Sequence, residues 1–126
     1  MIVLDASVLI AFLDPSDGMH GQAVSFMLEL GAQGLLVSPI THAEVLVGPA
    51  RSGTLAGTQG ALSALGVAEV ALPADAAPQL AGLRATTALK LPDCCVLLAA
   101  QQSASSVLTF DRRLATVAAT LGLGVG

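Results

Sequence analysis

The sequence predicts an α/β domain, a three-layer arrangement with a central, mostly parallel sheet of four to five strands flanked by helices. Three observations predict it. Short runs that are apolar at every position, Ile2-Val3-Leu4 and Leu35-Leu36-Val37, are the pattern of strands covered on both faces. Segments with helical spacing separate successive strand runs, and a strand–helix–strand crossover places its two strands parallel. The chain is 54% hydrophobic and only 11% charged, enough apolar surface for a buried core and the opposite of a disordered composition.

The elements follow in order. Residues 2–4 form the first strand, and Ser7 opens a helix to about Leu13. Asp14-Pro15-Ser16-Asp17-Gly18 is a loop by composition, in which Asp14 and Asp17 serve the turn rather than a second metal site. A second helix covers residues 19–30, with Ala23, Phe26, Met27 and Leu30 on one stripe, and Gly31 and Gly34 end it. Residues 35–37 form the second strand. Thr41 starts a third helix that stops near Gly48-Pro49, and residues 54–65 form a fourth. Residues 67–72 make the third strand, and Pro73-Ala74-Asp75 leads into a helix to about Leu89. Pro92 and Asp93 open another helix to about Ser103. Residues 106–109 form the fourth strand, Asp111 starts the last helix, and residues 123–125 form a short final strand. There is no repeat, linker or low-complexity segment, so residues 1–126 are read as a single domain.

Composition excludes several functions. With three Phe and no Trp or Tyr, the chain has no stacking platform for single-stranded bases. A formal net charge of −4 argues against a module that binds nucleic acid by charge alone. It does not exclude a nuclease whose acids are neutralised by metal ions. Any grip on phosphate must come from five cations: Arg51, Arg84, Lys90, Arg112 and Arg113. The adjacent Cys94 and Cys95 are read as buried free thiols of a reducing, cytoplasmic setting, because neighbouring cysteines bridge only with strain. The apolar N-terminus has no basic leader and is interrupted by Asp5 and Asp14, so neither a signal peptide nor a membrane span is expected.

Four of the nine acids recur in similar settings, at strand ends or at the helix starts that follow them: Asp5, Glu44, Asp93 and Asp111. Each has an ordinary local role. Glu44 lies three residues after Thr41 in a T-x-x-E capping box, Asp93 sits in a first helical turn, Asp111 is a natural N-cap, and Asp5 or Ser7 could cap the first helix. In an open parallel sheet, however, strand ends and the following helix starts share one edge, where ligands bind. Carboxylates gathered there repel one another unless a cation is present. Mg²⁺, with Mn²⁺ able to substitute, suits such an oxygen-only site and keeps several waters. One of these waters becomes the nucleophile for phosphodiester hydrolysis. Ser7 and Thr109 are candidate hydroxyls for orienting a carboxylate, or for ordinary capping and strand-end bonding. Arg112 and Arg113 follow Asp111 and are candidate RNA phosphate contacts, with a solvated helix face as the alternative. His20 and His42 are assigned to surface or loop positions rather than to a metal.

These residues resemble a family. The segments 2–10 (IVLDASVLI), 38–48 (SPITHAEVLVG), 91–100 (LPDCCVLLAA) and 107–111 (VLTFD) are similar to those of PIN domains, especially VapC-type toxin ribonucleases of toxin–antitoxin modules. The resemblance runs over essentially the whole chain and implies a PIN-like fold. It implies Asp5, Glu44 and Asp93 as the core acidic set and Asp111 as a more variable fourth. Asp5 and Asp93 would ligate the metal, and Glu44 and Asp111 would bind it directly or through water. It implies supporting hydroxyls at Ser7 and Thr109, an RNA substrate, a homodimer, and a small VapB-like antitoxin that occludes the acidic groove. The low basic content departs from what an RNA-binding surface would require. Cys94-Cys95 stands where small or apolar residues are commoner.

Other classes read less well. A receiver-type phospho-switch wants two adjacent acids after the first strand, but Ala6 follows Asp5. A haloacid-dehalogenase-like phosphatase wants D-x-D, and Ser7 stands at the second acid's position. A catalytically idle PIN-like interaction domain has no reason to keep mutually repelling carboxylates.

Overall fold

The structure, a computed structural model, describes residues 1–125. Four three-residue strands, β1 (Ile2–Leu4), β2 (Leu35–Val37), β3 (Val67–Glu69) and β4 (Ser106–Leu108), form one sheet in the order β3-β2-β1-β4. Every pairing is parallel, with Val3 opposite Leu36 on one side and Val107 on the other. The chain steps outward from β1 through β2 to β3, then returns to lay β4 on the far side of β1. The order therefore reverses between β1 and β4, and the C-terminal ends of these two strands flank the crevice where doubly wound sheets bind ligands.

The sheet divides the core by the two-residue period of its strands. Ile2 and Leu4 of β1 face a cluster with Val8, Leu9, Ala23, Met27, Val45 and Leu62. These come from α1 (Ala6–Leu13), α2 (His20–Leu30), α3 (Pro39–Ser52) and α4 (Leu55–Ala64). Val3 faces the other cluster, with Cys94, Leu97, Ala100, Val107 and Leu114. Here α6 (Leu91–Ser103) and α7 (Arg112–Thr120) cover the sheet, with α5 (Ala76–Thr87) outside them. From Cys94 to Ala100 every residue of α6 is buried, because this helix is covered on all sides. Cys94 and Cys95 are free and buried, and burial pushes both thiols up, so they stay protonated and pack as small apolar groups. No helix among the described residues is long and apolar enough to cross a membrane.

Several boundaries differ from the sequence reading. Helix α3 begins at Pro39, because Ser38 is its N-cap and accepts from the Ile40 amide at 3.3 Å. Thr41 therefore lies inside the helix, fully buried, and the expected capping box with Glu44 does not form. The helix also runs through Pro49 to Ser52 and ends at Gly53, whose φ of 77° is the left-handed stop. Strand β3 ends at Glu69 rather than near Leu72, since β2, its one partner among the described residues, has already turned into α3 after Val37. Residues 123–125 give one parallel bridge, Val107 to Gly124, rather than a fifth strand. Gly122, at φ 75°, folds this tail back onto α7, and a Cβ at Gly124 would meet the Ala119 Cα at 3.3 Å.

Candidate active site

The carboxylate of Asp5 is the best-held polar group at the sheet's C-terminal edge. Asp5 follows β1 directly, and its amide donates to the Leu108 carbonyl of β4 at 3.0 Å. That bond fixes the Asp5 side chain beside the turn leaving β4. The residue occupies the N-cap position of α1 but makes no side-chain cap. Its Oδ2 accepts instead from Ser7 Oγ at 2.8 Å and from Thr109 Oγ1 at 2.7 Å. Both hydroxyls are themselves held. Ser7 Oγ accepts from the Phe110 amide at 3.1 Å, and Thr109 Oγ1 accepts from the Asp111 amide at 2.9 Å. Residues more than a hundred positions apart thus lock one carboxylate that is only 8% exposed. Both bonds fall on Oδ2, so Oδ1 remains open to another partner.

The other three acids surround this group. Glu44 stands on the solvent side of α3, Asp93 is half-buried in the first turn of α6, and Asp111 caps α7. Asp111 Oδ1 accepts from the Arg113 and Leu114 amides at 2.9 and 3.1 Å, so the expected capping role is real and leaves Oδ2 free. Loss of water around Glu44 pushes its carboxyl up, and repulsion from Asp5 and Asp93 adds to this. Asp93 is also pushed up, first by burial, then by Asp5 and Asp111. Lys90 and Arg113 oppose that shift. Asp93 therefore shares its electrostatic field with each of the other three acids.

The acids feel one another without closing on a common point. Among the described residues, no three His, Cys, Asp or Glu side chains are arranged as a ready chelate. The donor set nevertheless fits a hard divalent cation. It is oxygen-only, it is under mutual repulsion, and Mg²⁺ needs only one or two direct carboxylates when water completes its shell.

Two hollows flank the acids. One of about 490 Å³ lies along α1, α3 and α4, with Ile10, Asp14, Glu44, Val45 and Pro49 on its walls. The other, about 380 Å³, is lined by Arg84, Lys90, Asp93, Asp111 and Arg113. Arg113 thus borders the acids and also an adjoining hollow with Thr87 and Thr116, whereas Arg112 lines only that adjoining one. The sequence names Arg84 and Lys90 only among the five cations able to grip phosphate, and singles out Arg112 and Arg113 instead. The available signal was the position of Lys90, three residues before Asp93 across the start of α6.

The remaining polar candidates are occupied locally. His42 Nδ1 pairs with Glu69 at 2.6 Å, and His20 Nδ1 meets the Ala11 carbonyl at 2.8 Å. Asp14 Oδ1 accepts from the Ser16 amide and hydroxyl, and Asp17 Oδ1 from the Met19 amide, both ordinary turn bonds.

The model of the PIN domain family matches residues 2–120. The chain belongs to the PIN domain family. No curated protein matches it. Among solved structures, this PIN domain is similar to a chain of a toxin–antitoxin complex from Klebsiella pneumoniae, with 27% identity and a TM-score of 0.70. That match covers 88% of this chain and 87% of the other. It is also similar in fold to VapC20 of Mycobacterium tuberculosis, described as a Sarcin-Ricin loop cleaving toxin, with 16% identity and a TM-score of 0.73. There the cover is 93% of this chain and 95% of the other. Membership in the PIN family displaces the receiver and haloacid-dehalogenase readings of the acidic edge.

Proposed function

We propose that this PIN domain is a Mg²⁺-dependent endoribonuclease toxin of the VapC type, neutralised by a small cognate antitoxin. The observation that carries the reading is the Asp5 carboxylate. Two hydroxyls hold one of its oxygens, the other has no partner among the described residues, Glu44 and Asp93 feel its charge, and Asp111 in turn acts on Asp93. The similarity to a toxin–antitoxin complex and to an RNA-cleaving toxin supports the same function.

Asp5 and Asp93 would hold the metal, with Glu44 and Asp111 acting directly or through water. A bound Mg²⁺ supplies a polarised water and charge stabilisation on the phosphate. Ser7 and Thr109 hold Asp5 Oδ2, which fixes the carboxylate and leaves Oδ1 for the metal. Glu44, whose carboxyl is raised by loss of water and by its acidic neighbours, is the candidate to accept a proton from the attacking water while Asp93 holds the metal. Asp111 anchors α7 through Oδ1 and also lines the hollow beside Asp93.

Purified protein is expected to cut RNA with Mg²⁺ or Mn²⁺ and to stop with chelator. Asp5→Asn and Asp93→Asn should each remove cleavage while leaving the fold intact by circular dichroism. Full activity in both variants would overturn the assignment. Millimolar Mg²⁺ should also raise the Tm of the wild type by relieving the repulsion among the acids. The exposed apolar residues, including Leu28 and Leu91, are consistent with the proposed homodimer, which light scattering would test. The two buried free thiols are consistent with a reducing cytoplasm.

A further inference from the structure

The chain has five Lys and Arg cations, and three of them, Arg84, Lys90 and Arg113, line the same hollow as Asp93 and Asp111. They come from three separate elements: the last turn of α5, the N-cap position of α6 and the first turn of α7. In a protein of net charge −4, that concentration is the feature to explain. Simple neutralisation of the acids would show as ion pairs. Among the described residues the one salt bridge joins His42 and Glu69, so no Lys or Arg lies within pairing distance of a carboxylate. Lys90 and Arg113 also make no side-chain hydrogen bond among those residues, although both are near enough to favour the charged form of Asp93.

The segment that presents Lys90 is firmly held. Arg84 donates from a guanidinium nitrogen to the Leu89 carbonyl at 2.7 Å, and the Leu89 amide donates to Thr87 Oγ1 at 3.3 Å. Ala88 adopts a left-handed φ of 59°, which reverses the chain between α5 and α6. Leu89 is buried, so Lys90 emerges from a fixed point at the groove's wall. The hollow thus brings two acids together with Lys90 and Arg113, whose side chains have no hydrogen-bond or ion-pair partner among the described residues. An RNA backbone presents the complement: a phosphate coordinated at the acids through the metal, and a neighbouring phosphate one nucleotide away.

We propose that Lys90 and Arg113 form a phosphate subsite that grips the RNA backbone beside the scissile bond, with Arg84 positioning Lys90 through the Leu89 carbonyl. This deepens the nuclease reading and rests on it. It also assigns the RNA-binding charge that the composition left without a location. The affinity lies in backbone charge, so the subsite acts on any sequence and leaves base choice to the rest of the groove.

The test is steady-state cleavage of a short single-stranded RNA by Lys90→Gln, Arg113→Gln, Lys90→Arg and the off-groove control Arg51→Gln, across a KCl series with Mg²⁺. Removing one cation from the subsite is expected to raise KM roughly tenfold and to change kcat by no more than about twofold. The slope of log(kcat/KM) against log salt should become shallower by about 0.7 for each cation removed. Lys90→Arg should restore KM, and Arg51→Gln should match wild type. Equal melting temperatures would separate these effects from misfolding. A wild type that cuts RNA, together with unchanged KM and salt slope in Lys90→Gln and Arg113→Gln, would overturn the subsite alone. A wild type that neither cuts nor binds the RNA would remove the nuclease reading and the subsite together.

Discussion

Replacing Thr109 with valine deletes one hydroxyl at nearly constant shape, and its cost follows from the bonds that hydroxyl makes. It donates to Asp5 Oδ2 at 2.7 Å and accepts from the Asp111 amide at 2.9 Å. A hydrogen bond to a charged acceptor contributes about 1.5–3 kcal/mol. Asp5 is only 8% exposed, so water is poorly placed to substitute. Asp111 is exposed, so its amide regains most of its loss from solvent. Thr109→Val should therefore cost about 2 kcal/mol, nearly all at Asp5. Ser7→Ala should cost a similar amount, because it removes the 2.8 Å donor to the same oxygen. The two donors share Oδ2, and only their joint loss leaves that poorly exposed oxygen without any donor. The double variant should then exceed the sum of the singles by at least about 0.5 kcal/mol, a coupling typical of side chains in one network. Urea unfolding at neutral pH in chelator gives all four corners of the cycle. With Mg²⁺, both single variants should also cut RNA more slowly, because Asp5 loses its fixed rotamer. A Thr109→Val protein within about 0.5 kcal/mol of wild type, or strict additivity in the cycle, would refute the idea that the two hydroxyls jointly clamp Asp5.

Three further outcomes are expected. Glu44 and Asp93 have folded-state carboxyls raised above the ordinary values of 4.5 and 3.8, so the folded chain binds their protons more tightly than the unfolded one. Their contribution to stability is therefore greatest below those ordinary values and is lost as pH rises through the raised ones. Without metal, Glu44→Gln and Asp93→Asn should melt above wild type at pH 7, and the differences should shrink towards pH 4. A difference that instead grows on acidification would contradict the repulsion. Asp111→Asn keeps a good N-cap and should leave Tm nearly unchanged, whereas Asp111→Ala should cost about 1 kcal/mol; comparing cleavage by the two separates the charge from the cap. Ala88 and Ala104 hold left-handed φ values of 59° and 50°, so Ala88→Gly and Ala104→Gly should each stabilise by about 0.5–1 kcal/mol in urea titration.

The elements most legible in the sequence were those whose signal is local. The runs at residues 2–4 and 35–37 became β1 and β2 without change, because a strand apolar on both faces needs no distant information to be recognised. Asp111 was readable as a cap for the same reason. The readings that shifted depended on partners. Thr41 looked like a helix start until Ser38 took the cap, and β3 lost its second half because β2 offers no further backbone to pair with. The tail at residues 123–125 reads as a strand by composition, but it follows α7 too closely to make more than one bridge.

The sequence by itself determined the α/β class, the alternation that makes the sheet parallel, and four candidate acids, of which Asp5, Asp93 and Asp111 stand at a strand end or helix start and Glu44 one turn inside α3. All of these are properties of neighbouring residues and their spacing. It could not determine that two hydroxyls from opposite ends of the chain meet on one oxygen of Asp5, because only the parallel pairing of β1 with β4 brings residues 7 and 109 together. Nor could it choose among five scattered cations. Their grouping was decided by the turn at Ala88, by the start of α6 and by the first turn of α7, which bring Arg84, Lys90 and Arg113 to the same hollow and leave Arg112 and Arg51 outside it.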